Sequence, residues 1–499
     1  MPKPLAARDV PAFSTACHFI DGRAVEGEGD AFSTQFPVTG EPLIELRAAT
    51  QEQVGAAVAA ARRSFDDGVW RGLSAAERAE ILRRTAEILE SRADDLVRRI
   101  LFDNAKTLPE ARIDVLAATS ACRREAEHAE NDRDLELQAE RGVERRVVRE
   151  PVGVVLGLTP YNAPLMFAGI KAAPALAAGN SVVLKPSERA PLLTVELCRA
   201  AAEAGVPPGV LNLVHGRVDV AADAAGRDEV DLITLTGGTA AGSAVMRTAA
   251  PTIKNLLLEL GGKSANIILA DADLDRAIPA AAAGIFRNAG QRCFSGSRLV
   301  VEESVAERVE EGVAAIAENL RLGDPFDEST QVGPLIDQQA AADVEAFIQR
   351  AVAEGLQTAA GGRRVDELAP GAFYRPTVLL GAKAGAYAAR EEIFGPVLTV
   401  IRVANAAEAV RVANASRYGL AGAVWSRDLD KAQRVARGVR SGYLWINTYG
   451  AVFGDVPFGG YGHSGIGREA GRWGYEAYTE LKTIMLDTTG GTTAPLFEP

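Results

Sequence analysis

At 499 residues, with 47% hydrophobic and 24% charged side chains, the chain has the ordinary balance of a multi-domain globular protein, which argues against long disordered or collagen-like tracts. A net charge of −12 leaves no basic excess to neutralise phosphates, so neither nucleic acid nor an anionic membrane is expected as a partner and a small-molecule enzyme fits better. The first residues lack a continuous apolar h-region and no window approaches the roughly 20 apolar residues of a membrane span, so the expected location is cytoplasmic.

Residues 50–104 carry apolar side chains at three- and four-residue spacing, in "QVGAAVAAARRSF" and "RAEILRRTAEILESRADDLVRRIL", which predicts amphipathic helices packed on something larger. A charged stretch follows at 123–150, and alternation within "DLELQAE" and "ERRVVRE" predicts a hairpin serving an interface. Next come short β-rich runs, "VGVVLGL", "SVVLKP", "VLNLV", "DLITLTG" and "NLLLELGG", separated by helical ones such as "LMFAGIKAAPALAAG" and "PLLTVELCRAAAEAG". That rhythm predicts a parallel sheet covered on both faces. A second alternating series, from "ANIILAD" through "SRLVVEE" and "VLTVIRV" to "GLAGAVWS" and "SGYLWIN", predicts a second α/β domain, and the tail "DTTGGTTAPLFEP" reads as weakly structured.

The four cysteines, Cys17, Cys122, Cys198 and Cys293, are scattered, with no CxxC pair and no Cys/His cluster at ligand spacing, so neither a disulfide framework nor a metal site is expected. The first three read as small buried hydrophobes. Cys293 differs, because "GQRCFSGS" sets it among glycines and small polar residues. Open parallel sheets bind ligands beyond the carboxyl ends of their strands, and four predicted strands run into polar or glycine-bearing loops: "TPYNAP", "KPSE", "TGGTAAG" and "ELGGK". The glycine turn could face phosphate oxygens or be a plain tight turn. Lys185 and Glu188 suit a ribose diol or form a surface pair. Glu259, ending an apolar strand, is either a base with a raised pKa or a structural carboxylate. Asn162 offers an amide to an oxyanion or makes a turn before Pro164.

Taken in order, "TPYNAP", "KPSE", "TGGTAAG", "ELGGK", "GQRC", "EEIFGPV" and "PFGGYGHSGIGRE" resemble the aldehyde dehydrogenase superfamily over nearly the whole chain. The resemblance implies an α/β fold of three parts. These are a Rossmann-like NAD-binding domain at 1–128 and 150–261, a catalytic domain at 262–462, and a small β oligomerisation element with the C-terminal segment at 129–149 and 463–499. It also implies a homodimer or homotetramer. Carried over by motif, Cys293 matches the nucleophile, Glu259 the general base and Asn162 the oxyanion donor. NAD, favoured over NADP, would meet Thr159, Pro160 and Tyr161 of the first motif and Lys185, Ser187 and Glu188 of the second. Thr236, Gly237 and Gly238 of the glycine turn, Gly261 of "ELGGK", and Glu392 and Phe394 of "EEIFGPV" complete the cofactor contacts. Ser295 and Gly296 are expected to leave room beside the thiol.

Several positions depart from the family pattern: Tyr161 replaces a tryptophan, the turn Leu235-Thr236-Gly237-Gly238 lacks a customary hydroxyl, and His215 reads as a structural or loop residue rather than a catalyst. The reaction implied is oxidation of an aldehyde to its acid through a cysteine thiohemiacetal and thioester. Glu259 counts against a CoA-acylating enzyme, and the intact set of Cys293, Glu259 and Asn162 counts against an inactive structural homologue. Substrate-tunnel positions, Phe167, Ile170, Val452 and Phe458, are apolar and suit a neutral aromatic or aliphatic aldehyde. Arg287, in "FRNAGQRC", gives the alternative of a carboxylate-bearing semialdehyde, or else simply ends the helix begun at Asp273.

Overall fold

The computed structural model describes residues 10–15, 18–140 and 142–488. Cys17 and the tail from 489 lie outside the described residues. Two large sheets dominate. The first has eight strands, with a parallel centre ordered Asn255–Glu259, Leu232–Thr236, Val154–Thr159, Ser181–Pro186 and Leu211–Leu213. The earliest of these, Val154–Thr159, sits in the middle, and the chain builds outward from it in one direction and then the other. The order therefore reverses between Val154–Thr159 and Leu232–Thr236, which opens a crevice at their carboxyl ends in the Rossmann-like manner.

The strands Val154–Thr159 and Ser181–Pro186 are buried along their whole length, as continuous apolar runs between helical layers must be. Antiparallel edges were not legible as strands: His18–Ile20 and Arg23–Val25 close one side, and Gly465–Ile466 pairs with Asn255–Glu259 on the other. These two- and three-residue segments are too short to carry an alternation.

The second sheet has seven strands, in the order Gln357–Ala360, Thr377–Leu380, Val397–Val403, Arg298–Glu302, Ala265–Ile268, Ala421–Trp425 and Tyr443–Ile446, all parallel except the first. Alternate residues feed two cores. Ile267, Val300 and Val424 pack on one face, while Ile268, Leu299, Val301 and Trp425 pack on the other. The charged stretch divides into two structures, since its first third completes the helix Leu108–Asn131 and the remainder forms the expected hairpin, Leu135–Glu140 with Val143–Pro151. The last strand, Thr479–Asp487, extends this hairpin to three antiparallel strands. No helix among the described residues is long and apolar enough to cross a membrane.

His215 is structural. It is buried, its backbone N–H donates to His18 Nδ1 at 2.9 Å, and the two rings lie 5.6 Å apart. Burial lowers His18 to about 4, against the opposing effect of the Arg47 carbonyl. Because its folded pKa lies below the unfolded value near 6.5, the unfolded chain binds the extra proton first, and stability is lost as pH falls from about 6.5 toward 4. The loss reaches about 2 kcal/mol by pH 5. Thermal midpoints measured at pH 7 and pH 5 should therefore drop further for the wild type than for His18→Asn, and equal drops would show that His18 does not couple folding to pH.

Candidate active site

The crevice at the strand reversal is a cleft of about 470 Å³. Thr159, Pro160, Tyr161 and Asn162 enter from the end of the central strand, Lys185, Ser187 and Glu188 from its neighbour, and Thr236, Gly237 and Gly238 from the strand across the reversal. Gly261, Cys293, Glu392 and Phe394 close the far end. All twelve predicted cofactor residues thus share one wall, together with Cys293, Asn162 and Phe167. The opposite end is apolar, a slot of Val218, Ala221, Ala222, Ala241, Ala244 and Val245 between the helices Val218–Gly226 and Thr239–Ala249.

The lining fits a dinucleotide. The slot suits a flat base, and Lys185 Nζ, 3.4 Å from Glu188 Oε2, presents a donor beside an acceptor as a ribose diol requires. The hydroxyls of Thr159 and Thr236 are buried without a hydrogen-bond partner. A Cβ on Gly238, which caps the helix Thr239–Ala249, would meet nothing within 4 Å, so the turn opens directly into the cleft. Gly261 is required for a different reason: a Cβ there would collide with the Glu392 carboxylate, which accepts the Gly262 N–H at 3.0 Å. Burial raises Glu392 to about 7. Phe394 holds a left-handed backbone, φ 53°, unusual for a bulky residue, and its ring meets the edge of Tyr161. Tyr161 is in turn covered by the Arg189 guanidinium, which Asp337 grips with two bonds of 2.7 and 2.6 Å.

Cys293 is delivered by a tightly wound turn. After the helix Leu274–Phe286, Asn288, Ala289 and Gly290 are all left-handed, and a side chain on Gly290 would strike the backbone of Gly395. The turn is pinned from several directions. Glu110, which also caps its own helix, accepts the Asn288 N–H at 2.6 Å, and the Gln291 amide oxygen accepts from Ile336 N–H at 2.9 Å. The Asn162 amide donates to the carbonyl of Gln291, two residues before the thiol, at 2.9 Å. Burial, then Glu259 and Glu392, raise the Cys293 thiol to about 12, with Arg292 opposing. Ser295 and Gly296 correct the expectation for them. Ser295 Oγ donates to the Gly290 carbonyl at 3.2 Å, and Gly296 makes room for the Tyr449 ring rather than for a ligand.

Glu259 ends its strand but does not line the cleft. The residue is 3% exposed, and its carboxylate lies against Gly459 with no hydrogen-bond partner on either oxygen. Burial raises its pKa well above the carboxylate range, and Glu469 adds to this while Lys171 and Arg468 oppose it. Lys171, fully buried, donates to Glu469 Oε1 at 2.8 Å and to Thr234 Oγ1 at 2.9 Å. Sequence reasoning missed both Lys171 and Glu469. The signal for Lys171 was a single cation in the otherwise apolar helix Pro164–Ala178.

The other predicted substrate residues separate. Phe167 reaches the cleft, while Ile170, one turn on, packs on the first core. Phe458 is half-buried in an aromatic group with Phe294, Tyr443 and Trp445, and exchanges backbone hydrogen bonds with Glu469 at 2.7 Å. Val452 is exposed, as is Arg287 at the C-cap of the helix Leu274–Phe286. Among the described residues no cluster of His, Cys, Asp and Glu has the makings of a metal site.

A model of the aldehyde dehydrogenase family matches residues 24–484. Betaine aldehyde dehydrogenase of Bacillus subtilis (strain 168) is 39% identical over 475 residues, covering 94% of this chain and 97% of its own length. A 3-succinoylsemialdehyde-pyridine dehydrogenase of a Pseudomonas species is 40% identical over 470 residues, 94% and 98% of the two chains. The crystal structure of betaine aldehyde dehydrogenase from Staphylococcus aureus in complex with NAD+ superposes with a TM-score of 0.95 at 37% identity, covering 98% of each chain.

The three described cysteines should differ in reactivity. Cys122 and Cys198 are sealed in the core, and burial pushes both thiols up, Cys122 to about 12. Iodoacetamide should modify Cys293 first, more slowly at pH 7.5 than a free thiol and faster as pH rises, as peptide mass spectrometry would report. Alkylation of Cys122 or Cys198 before Cys293 would contradict this placement.

Proposed function

The chain belongs to the aldehyde dehydrogenase family, whose reaction is oxidation of an aldehyde to its carboxylic acid, and we propose that Cys293 is its nucleophile, Asn162 its oxyanion donor and Glu259 its base, with NAD in the cleft. The observation that carries the reading is the convergence of Cys293, Asn162 and all the dinucleotide contacts on one wall.

A thiol raised to about 12 is protonated at neutral pH, so attack on the aldehyde carbon is coupled to loss of its proton, which Glu259, the carboxylate acting most on the thiol, takes and passes to solvent. As the carbon–sulfur bond forms, the carbonyl oxygen becomes an oxyanion that the Asn162 amide stabilises. NAD, when bound, supplies the acceptor for the hydride that the thiohemiacetal carbon loses, leaving a thioester on Cys293. Glu259, free of that proton again, takes one from water as the water oxygen attacks the thioester carbonyl; the carbon–sulfur bond breaks, the acid leaves, and Glu259 returns the proton to the Cys293 sulfur. A carboxylate that holds a proton tightly is a strong base, and burial beside Glu469 gives Glu259 that property. Lys171, which donates to Glu469, acts against that effect and limits it.

Glu188 supports NAD over NADP, because its carboxylate accepts a ribose hydroxyl but repels a phosphate. The three-stranded sheet exposes Leu135, Leu137, Leu481, Ile484, Met485 and Leu486, and a homodimer or homotetramer would cover them.

Two experiments test the assignment. Cys293→Ala should abolish oxidation while leaving NAD affinity nearly unchanged, and Glu259→Gln should slow deacylation more than hydride transfer, giving a burst of NADH on rapid mixing. Equal slowing of both phases would remove Glu259 as the hydrolytic base. Glu188→Gln should narrow the ratio of kcat/KM for NAD over NADP by on the order of tenfold; an unchanged ratio would show that cofactor choice is made elsewhere.

A further inference from the structure

Tyr449 stands behind the nucleophile and takes no part in the reaction as described above. The chain reaches it through Asn447, which follows the strand Tyr443–Ile446 in a left-handed conformation, φ 54°. Asparagine is one of the few residues that tolerate this, and Ser426 secures it: the Ser426 N–H donates to Asn447 Oδ1 at 3.0 Å, and its carbonyl accepts from Nδ2 at 2.9 Å. Two residues on, the Tyr449 ring lies 4.8 Å from that of Trp445, in a slot walled by two glycines. A Cβ on Gly284, in the helix Leu274–Phe286, or on Gly296, in the loop after Cys293, would come to 3.0 Å of the tyrosine. The same two glycines tie loop to helix, since the Gly296 N–H donates to the Gly284 carbonyl at 3.1 Å.

Packing accounts for the ring but not for the hydroxyl, because phenylalanine would fill the slot as fully. The hydroxyl donates at 2.6 Å to the carbonyl of Phe294, the residue that follows the nucleophile. At its other end Phe294 presents its N–H to the Cys293 sulfur. Burial, then Glu259 and Glu392, hold that thiol protonated; of the groups that favour the thiolate, Arg292 comes first and the Phe294 N–H second. Arg292, the Ser264 hydroxyl and the thiol face Tyr449 as well, and burial keeps the phenolic proton in place, so that it remains a donor at neutral pH. Phe294 is thus held by its carbonyl while its N–H meets the sulfur. A backbone rotation that loses one contact loses the other.

We propose that Tyr449 is a positioning residue for the nucleophile: by holding the Phe294 carbonyl it keeps the Phe294 N–H directed at the Cys293 sulfur, where it stabilises the thiolate as the thiol gives up its proton. A hydrogen bond from a backbone N–H to a developing anion is of the charge-assisted kind, stronger than one to a neutral partner. The contact therefore gains strength as the sulfur ionises, which is when the reaction needs it. The inference rests on the reading of Cys293 as nucleophile and adds the side chain that presents it.

Tyr449→Phe keeps the ring and removes the hydroxyl. Cys293 of this variant should react with iodoacetamide about three- to tenfold more slowly than in the wild type at every pH from about 7 to 9, measured by peptide mass spectrometry. The kcat/KM for butanal should fall by a similar factor while the dissociation constant for NAD does not move. A side chain that only packs gives the opposite sign, because a loosened loop exposes the thiol to water and eases its ionisation. Faster or unchanged alkylation overturns the inference. Gly296→Ala drives a methyl group against the tyrosine hydroxyl, so it should slow alkylation in the wild-type background and much less in Tyr449→Phe. Equal effects in the two backgrounds likewise overturn it. Alkylation reads the thiol without turnover, so these outcomes leave the dehydrogenase reading in place. Turnover that survives Cys293→Ala overturns that reading, and with it the reaction that Tyr449 serves.

Discussion

A lysine with no exposed surface is the constraint on which this site depends. Lys171 would be untenable in the core without Glu469 and Thr234, and those partners come from distant parts of the chain, the C-terminal segment and the central sheet. Satisfying it brings Glu469 beside Glu259, and the like charge together with burial gives Glu259 its affinity for a proton. The same helix, Pro164–Ala178, carries Phe167 four residues earlier on the same face, toward the cleft, and follows directly on Asn162. One element thus carries the proposed oxyanion donor at its start, part of the cleft wall, and the cation that opposes the raised proton affinity of Glu259. Its angle is held by close packing, since a Cβ at Gly169 would come within 3.0 Å of the Ala118 backbone, and by Asp114, which accepts the Met166 N–H at 2.6 Å.

The chemistry was more legible in the sequence than the electrostatics behind it. Loops after parallel strands announce themselves by glycine and polar residues, and the order of seven motifs tied Cys293, Glu259 and Asn162 together before any coordinates. The central strands were legible because full burial writes them as unbroken apolar runs. Edge strands of two or three residues leave no such trace, and the break at Arg92 between the helices Ala75–Ser91 and Ala93–Asp103 was hidden by a periodicity that continues across it. Ser295 and Gly296 show a different limit. Small residues beside a nucleophile look like space for a ligand, yet here the space is taken by Tyr449, a residue more than 150 positions away. Lys171 and Glu469 are separated by 298 residues, a distance across which spacing carries no information.

The outer wall behaves differently from the catalytic core, because its residues meet substrates rather than the shared reaction. A cationic group is suited to the faces of aromatic rings. This chain does assemble such rings near the nucleophile, with Phe294, Tyr443, Trp445 and Phe458 in mutual contact. The Phe294 face, however, is already covered by the chain's own cation, Arg292. Arg292 therefore occupies, from within the chain, a ring face on which a cation would otherwise stack. The family match spans residues 24–484, and within it the wall around Cys293 is set by this chain's own packing, with the Phe294 ring held between Arg292 on one side and Trp445 and Phe458 on the other.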